Sequence, residues 1–276
     1  GVILKNLGKL KEAESSYRKA IELNPNFSNA HSNLGNILRD LGKLKEAEIS
    51  YRKAIEIKPD YAEAYSNLGS FLNAIGKSQE AELSTRRAIE IKPDFAEGHY
   101  NLGNILKDLS KLQNAELSYL KAIKLKPDYA EAHYNLGVIL KDLGKLQEAE
   151  LSYHKAIEIK PGFAEAYLNL GNILKDLGKL QEAELSYHKA IELKPDYAEA
   201  HSNLGVLLRD LGKLQEAELS YRKAIKIKPD FTEAHSNLGY LLNDLGKLQD
   251  AELSYRKAIE IKPDYAEAHS NLGNIL

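Results

Sequence analysis

The chain has 276 residues, 43% of them hydrophobic and 28% charged, too apolar for a disordered polymer and too evenly charged for a membrane-embedded one. Lys and Arg total 38 against 40 Asp and Glu, so no basic excess exists to condense on nucleic acid or an anionic bilayer. Zero Cys removes disulfides, thiolate metal sites and cysteine nucleophiles together without revealing the compartment, and no apolar run approaches the roughly 18 residues of a membrane span.

Along the chain the punctuation is periodic. Pro25, Pro59, Pro93, Pro127, Pro161, Pro195, Pro229 and Pro263 lie 34 residues apart, and Gly8, Gly42, Gly76, Gly144, Gly178, Gly212 and Gly246 keep the same step. A fixed period of this size signals stacked supersecondary units. Counting by 34 divides a single array into a partial repeat over 1–27, full repeats over 28–61, 62–95, 96–129, 130–163, 164–197, 198–231 and 232–265, and a partial repeat over 266–276.

Within 28–61, Ala30, His31, Leu34, Ile37, Leu38 and Leu41 fall on one side of a predicted helix, A. Gly42 supplies the left-handed residue that ends it. A second stripe, Leu44, Ala47, Tyr51, Ala54 and Ile55, defines helix B, which Pro59 stops. The unit is an αα-hairpin whose apolar faces need neighbouring hairpins to cover them.

The order His31-x2-Leu34-Gly35-x2-Leu38, Ala47-x3-Tyr51 and Pro59 resembles the tetratricopeptide repeat family over the whole chain. The resemblance implies an all-α protein: an α-solenoid of 34-residue helix-turn-helix repeats forming a right-handed superhelix. Where that family usually carries Trp, this chain has His31, Tyr65, His99, His133, Tyr167, His201, His235 and His269, which predicts smaller and more polar packing. Its Ser-Asn-Leu and Lys-Pro-Asp-Phe/Tyr stretches are similar to the array carried by the O-linked N-acetylglucosamine transferase, although no stretch resembles a catalytic domain. Both ends fall inside helix A without a polar cap, which reads as a piece of a longer array. Head-to-tail docking of such ends into a filament is the alternative.

The other face of helix A carries Asn29, Ser32, Asn33, Asn36, Arg39 and Asp40, and the resemblance implies that this face lines a concave groove. Its recurring member is Asn33, Asn67, Asn101, Asn135, Asn169, Asn203, Asn237 and Asn271. A carboxamide both donates and accepts, so such a ladder suits the backbone of an extended peptide. Helices about 8–10 Å apart facing a chain that advances roughly 3.3 Å per residue match one Asn to about every third peptide residue. Bonding between neighbouring helices alone is the competing reading. At the place of Ser32 stand Tyr100, Tyr134 and Leu168, and at the place of Asn36 stand Val138, Val206 and Tyr240. These are candidate anchors for partner side chains, with drift among near-identical repeats as the alternative.

Helix B holds a second stripe opposite its buried face: Ile49, Leu83, Leu117, Leu151, Leu185, Leu219 and Leu253. Seven in register suggest an apolar ridge for lateral association, unless Lys and Arg stems cover it. Equivalent histidines such as His99 and His133 lie one repeat apart, too far to share a zinc ion. No phosphate loop, nucleophile elbow or zinc helix occurs. Neither catalysis nor a cofactor is expected. The expected partner is a protein or peptide in extended conformation, with no nucleic acid and no membrane. Structural self-assembly, or service as the substrate-recognition arm of a larger enzyme such as a glycosyltransferase, remains the alternative.

Overall fold

The computed structural model describes residues 8–275; residues 1–7 of the first partial repeat, and Leu276, lie outside the described part. Sixteen helices and no strand occur among the described residues. In chain order they are α1 (Leu10–Leu23), α2 (Ser28–Asp40), α3 (Leu44–Ile57), α4 (Ala62–Ala74), α5 (Ser78–Ile91), α6 (Ala96–Asp108), α7 (Leu112–Leu125) and α8 (Ala130–Asp142). They continue as α9 (Leu146–Ile159), α10 (Ala164–Asp176), α11 (Leu180–Leu193), α12 (Ala198–Asp210), α13 (Leu214–Ile227), α14 (Thr232–Asp244), α15 (Leu248–Ile261) and α16 (Ala266–Ile275). Even numbers are A helices and odd numbers are B helices.

The A helices α2, α4, α10, α12 and α14 end as the glycine series predicts. Gly42 sits at φ 74°, and its N–H reaches the Arg39 carbonyl at 2.9 Å while Lys43 reaches that of Leu38 at 2.8 Å. This pair of bonds is the Schellman closure, which satisfies carbonyls the helix leaves open. Ser110 takes the glycine's place in one repeat and is held at φ 57°. Helix B closes where Lys58 donates to Ala54 at 3.0 Å and Pro59 forbids a further turn.

The hairpin packs through a ring-on-glycine contact. Tyr51 is fully buried, and its ring lies so close to Gly35 that a Cβ there would fall 2.6 Å from Cε1. The other inward residues follow the helical wheel except at the edges. Ile37, Leu38, Ala47 and Ala54 are buried, whereas His31, Leu41 and Ile55 are half-buried. Leu44 is 45% exposed, because the first residue of helix B emerges from the glycine loop before the neighbouring helix covers it.

Histidine in place of tryptophan has a specific partner. The Nε2 atoms of His31, His99, His133, His201, His235 and His269 lie 2.9–3.1 Å from the carbonyl of the proline six residues earlier. A ring N–H can donate to a carbonyl that Pro leaves at the end of the preceding repeat. A second tie links successive repeats: Lys43 to Glu14 at 2.9 Å, Lys111 to Glu82 at 2.7 Å, Lys179 to Glu150 at 2.6 Å and Lys247 to Glu218 at 2.7 Å.

The chain forms two compact units, one ending at Leu143 and the other starting at Gly144. Within the first unit α2 touches α4, α4 touches α6 and α6 touches α8; within the second, α10, α12, α14 and α16 continue in the same way. Successive B helices of a unit make no comparable contact. The A helices are therefore a close row, and the B helices a splayed one.

Candidate functional site

In each unit the close A-helix row is a candidate binding face. Leu34, Gly35, Ile37 and Leu38 face the hairpin interior and are buried, which leaves Asn33 and Asn36 on the open side. All eight asparagines of the ladder, Asn33, Asn67, Asn101, Asn135, Asn169, Asn203, Asn237 and Asn271, are half-buried.

Several of these amides are anchored by the repeat before them. Asn67 Nδ2 donates to Ser32 Oγ at 3.2 Å and Asn101 Nδ2 to Ser66 Oγ at 3.0 Å. Asn135 Nδ2 donates to the Tyr100 hydroxyl at 3.1 Å and to Asn104 Oδ1 at 2.9 Å, and Asn203 Nδ2 to Asn172 Oδ1 at 2.9 Å. Bonding between neighbouring helices, the competing reading of the ladder, thus holds for these four amides. An N–H is used between helices, while the side-chain carbonyls of Asn67, Asn101, Asn135 and Asn203 accept no hydrogen bond among the described residues.

The candidate anchors separate by position. The Ser32 position lies beneath the next A helix: Ser32 and Ser66 are each 2% exposed and Leu168 is 7% exposed. Leu168 therefore offers little surface to a partner, because a wheel drawn for one helix omits the neighbour that covers it. Tyr100 and Tyr134 are larger and remain half-buried. The Tyr100 ring packs against Tyr129 with centroids 4.8 Å apart and against Tyr119 at 6.0 Å, and burial raises the Tyr119 and Tyr129 hydroxyl pKa values. Tyr240 is 43% exposed, with the Arg209 guanidinium 5.1 Å over its ring. Val138 and Val206 are half-buried.

A role for the Asn36 position goes unread in the sequence. Tyr51, Tyr119 and Tyr187 donate their hydroxyls to Asn36, Asn104 and Asn172 at 2.7–2.9 Å. The 15-residue spacing of each pair was available in the sequence, but no helical wheel joins two helices.

Charges beside the row pair locally: Arg39 with Asp40 at 2.8 Å, Arg209 with Asp210 at 3.0 Å and Lys92 with Glu63 at 3.2 Å. No group of three or more His, Asp or Glu converges to hold a metal among the described residues. On the opposite side, Ile49, Leu83, Leu117, Leu151, Leu185, Leu219 and Leu253 are 65–71% exposed. No helix among the described residues is long and apolar enough to cross a membrane.

A family model described as "TPR repeat" matches residues 35–76, 103–144, 171–209 and 239–276, and models described as "Tetratricopeptide repeat" match 1–27, 62–95, 130–163 and 198–231, among other stretches. No curated protein matches the chain significantly. Among solved structures, YrrB, described as a TPR protein with an unusual peptide-binding site, is 26% identical at a TM-score of 0.57, over 67% of this chain and 96% of that one. MamA is 30% identical at a TM-score of 0.55, over 60% of this chain and 97% of its own. A chain of the APC/C hetero-tetramer Cut9–Hcn1 shares the fold at a TM-score of 0.70 and 16% identity, over 97% of this chain and 52% of that one.

Proposed function

The chain belongs to the tetratricopeptide repeat family, a family of protein-interaction scaffolds, and we propose that its A-helix rows grip a polypeptide in extended conformation through their asparagines. The observation that carries this reading is the half-anchored amide. Asn67, Asn101 and Asn135 each hold an N–H against the preceding repeat, which fixes the side chain and leaves its carbonyl to accept from a peptide N–H. Fixing the acceptor beforehand lowers the ordering cost of binding. Recognition of backbone rather than side chains makes binding tolerant of sequence, and Tyr100, Tyr134, Val138 and Tyr240 add apolar contact at particular steps. The peptide-binding site named for YrrB supports a peptide as the class of ligand. No catalytic step is assigned to this face.

The test is fluorescence anisotropy with a pool of labelled, mixed-sequence peptides. Replacing Asn67, Asn101 and Asn135 together with Ala removes three acceptors worth about 0.5–1.5 kcal/mol each, so affinity falls at least about tenfold. Asn33→Ala and Asn237→Ala serve as the fold-neutral pair, since neither amide bonds a described residue, and they weaken binding by a smaller factor. Unchanged affinity in both variants, with helicity retained, defeats the proposal.

A further inference from the structure

The splay of the B helices leaves the opposite face unfinished. In the second unit Leu151, Leu185, Leu219 and Leu253 are 66–71% exposed, so Lys and Arg stems leave them largely uncovered. Single exposed leucines are ordinary; four on equivalent turns of successive B helices repeat at a fixed step along one face. Beside Leu253 opens a notch of about 360 Å³ floored by Ile225 and Leu238. The equivalent notch beside Ile49 in the first unit, floored by Ile21 and Leu34, holds about 380 Å³. Each unit therefore has room for an apolar side chain beside one residue of the row.

Charge around the row selects the occupant. One turn before each leucine stand Glu148, Glu182, Glu216 and Asp250, exposed and, among the described residues, in no ion pair within 4.0 Å. One turn after stand Lys155, Lys189, Lys223 and Lys257. Three of these lysines pair with Glu158, Glu192 and Glu260 at 2.8 Å, but exposed pairs of this kind exchange at little cost. Four residues before each leucine the second unit carries Gln147, Gln181, Gln215 and Gln249, where Ile49 has Lys45. No cation there opposes an approaching lysine.

We propose that this face of the second unit binds a second copy of the chain, side by side and with B helices antiparallel. A two-fold axis lying along the leucine row keeps the repeats in step and reverses each B helix. Because the B helices splay, the row bows outward and the axis meets it over the middle steps: Leu185 and Leu219 meet their equivalents of the second copy, and Glu182 and Glu216 face Lys189 and Lys223 of the second copy. Such an interface is isologous and closes as a dimer. It leaves the A-helix row free for a peptide. A two-fold axis along the B helices would set acid against acid, and so the antiparallel arrangement is the favoured one.

The test is sedimentation equilibrium of the chain from about 1 μM to about 1 mM. A reversible monomer–dimer equilibrium is expected. Changing Leu151, Leu185, Leu219 and Leu253 to Gln weakens it at least tenfold with helicity unchanged, since the side chains are exposed. Two charge variants keep the proposal falsifiable if that one misbehaves: Lys155, Lys189, Lys223 and Lys257 all to Glu, and Glu148, Glu182, Glu216 and Asp250 all to Lys. Each alone is monomeric, and mixing them restores a dimer. A parent chain that stays monomeric throughout overturns the proposal, as does dimerisation that persists in the leucine variant or fails to return on mixing.

Discussion

Tyr221 is the residue at which one repeat departs most tellingly from its sisters. Tyr51, Tyr119 and Tyr187 are buried and spend their hydroxyls on Asn36, Asn104 and Asn172. Tyr221 is equally buried, but Val206 occupies the asparagine's place, and its hydroxyl has no partner. Burial pushes the Tyr221 pKa up to about 12. An unmatched buried hydroxyl costs roughly 1–3 kcal/mol. Val206→Asn supplies the acceptor and is expected to raise stability by about 1 kcal/mol, seen as a thermal midpoint roughly 2–4 °C higher. Tyr→Phe exchanges check the cause independently. Tyr51→Phe strands the Asn36 carbonyl and lowers the midpoint, whereas Tyr221→Phe removes an unmet group and leaves the midpoint equal or higher. Equal losses in the two Phe variants contradict this account.

At the scale of the helix pair, the ties between repeats carry a pH dependence. The Glu14 pKa is lowered chiefly by its hydrogen bond to Lys43, that of Glu82 by Lys111 and that of Glu218 by Lys247; for Glu48 the first cause is Arg52. A carboxylate whose folded pKa lies below its unfolded one contributes stability that is complete above the unfolded value and is lost as pH falls through the folded one. Thermal midpoints are therefore expected to hold from about pH 7 down to about 5 and to decline below the ordinary glutamate pKa of about 4.3. Glu218→Gln lowers the midpoint at neutral pH, through a stability loss of about 1 kcal/mol at most, and makes the acid decline shallower. An acid profile identical to the parent's assigns the decline elsewhere. These ties mark the limit of what the sequence discloses. The prolines, Gly42 and the stripe through Ala47 and Tyr51 locate the hairpins because they act within one helix or at its end. The bonds of Lys43 to Glu14, of His31 to the Pro25 carbonyl and of Asn67 to Ser32 span 29, 6 and 35 residues. The first and third depend on how one helix is set against another, and the second on how a loop folds back on the helix it precedes; periodicity fixes neither. Burial of Leu168 escapes the wheel for the same reason. The exposed row from Ile49 to Leu253 is legible because it requires only one helix and its buried side.

For the whole molecule, the decisive property is that contacts within each unit join a repeat only to its neighbours. Stability of such an array is close to a sum of repeat terms and interface terms, rather than the property of one indivisible core. Removing residues 198–231 then joins Tyr197 to Thr232, one A-helix start to another. The seam restores equivalent partners: Asn237 comes against Asn172 as Asn203 does now, His235 against the Pro195 carbonyl as His201 does, and Lys247 against Glu184 as Lys213 does. It also removes the mismatched Val206 and Tyr221. The shortened chain is expected to fold with the same helicity per residue. Its denaturant m-value should fall by about one part in eight, because m follows the surface exposed on unfolding and 34 of the 276 residues are gone. Deleting only residues 198–213 is the control, since it takes helix A and the glycine loop and sets two B helices in succession. The Leu214 helix then meets the preceding repeat without an A helix between them, and the Tyr221 ring loses its seat on Gly205. Far-UV circular dichroism and urea titration of the two deletions decide the matter. Unfolding of both, or equal tolerance of both, contradicts a nearest-neighbour array; survival of the in-phase deletion alone identifies the 34-residue hairpin as the unit of folding.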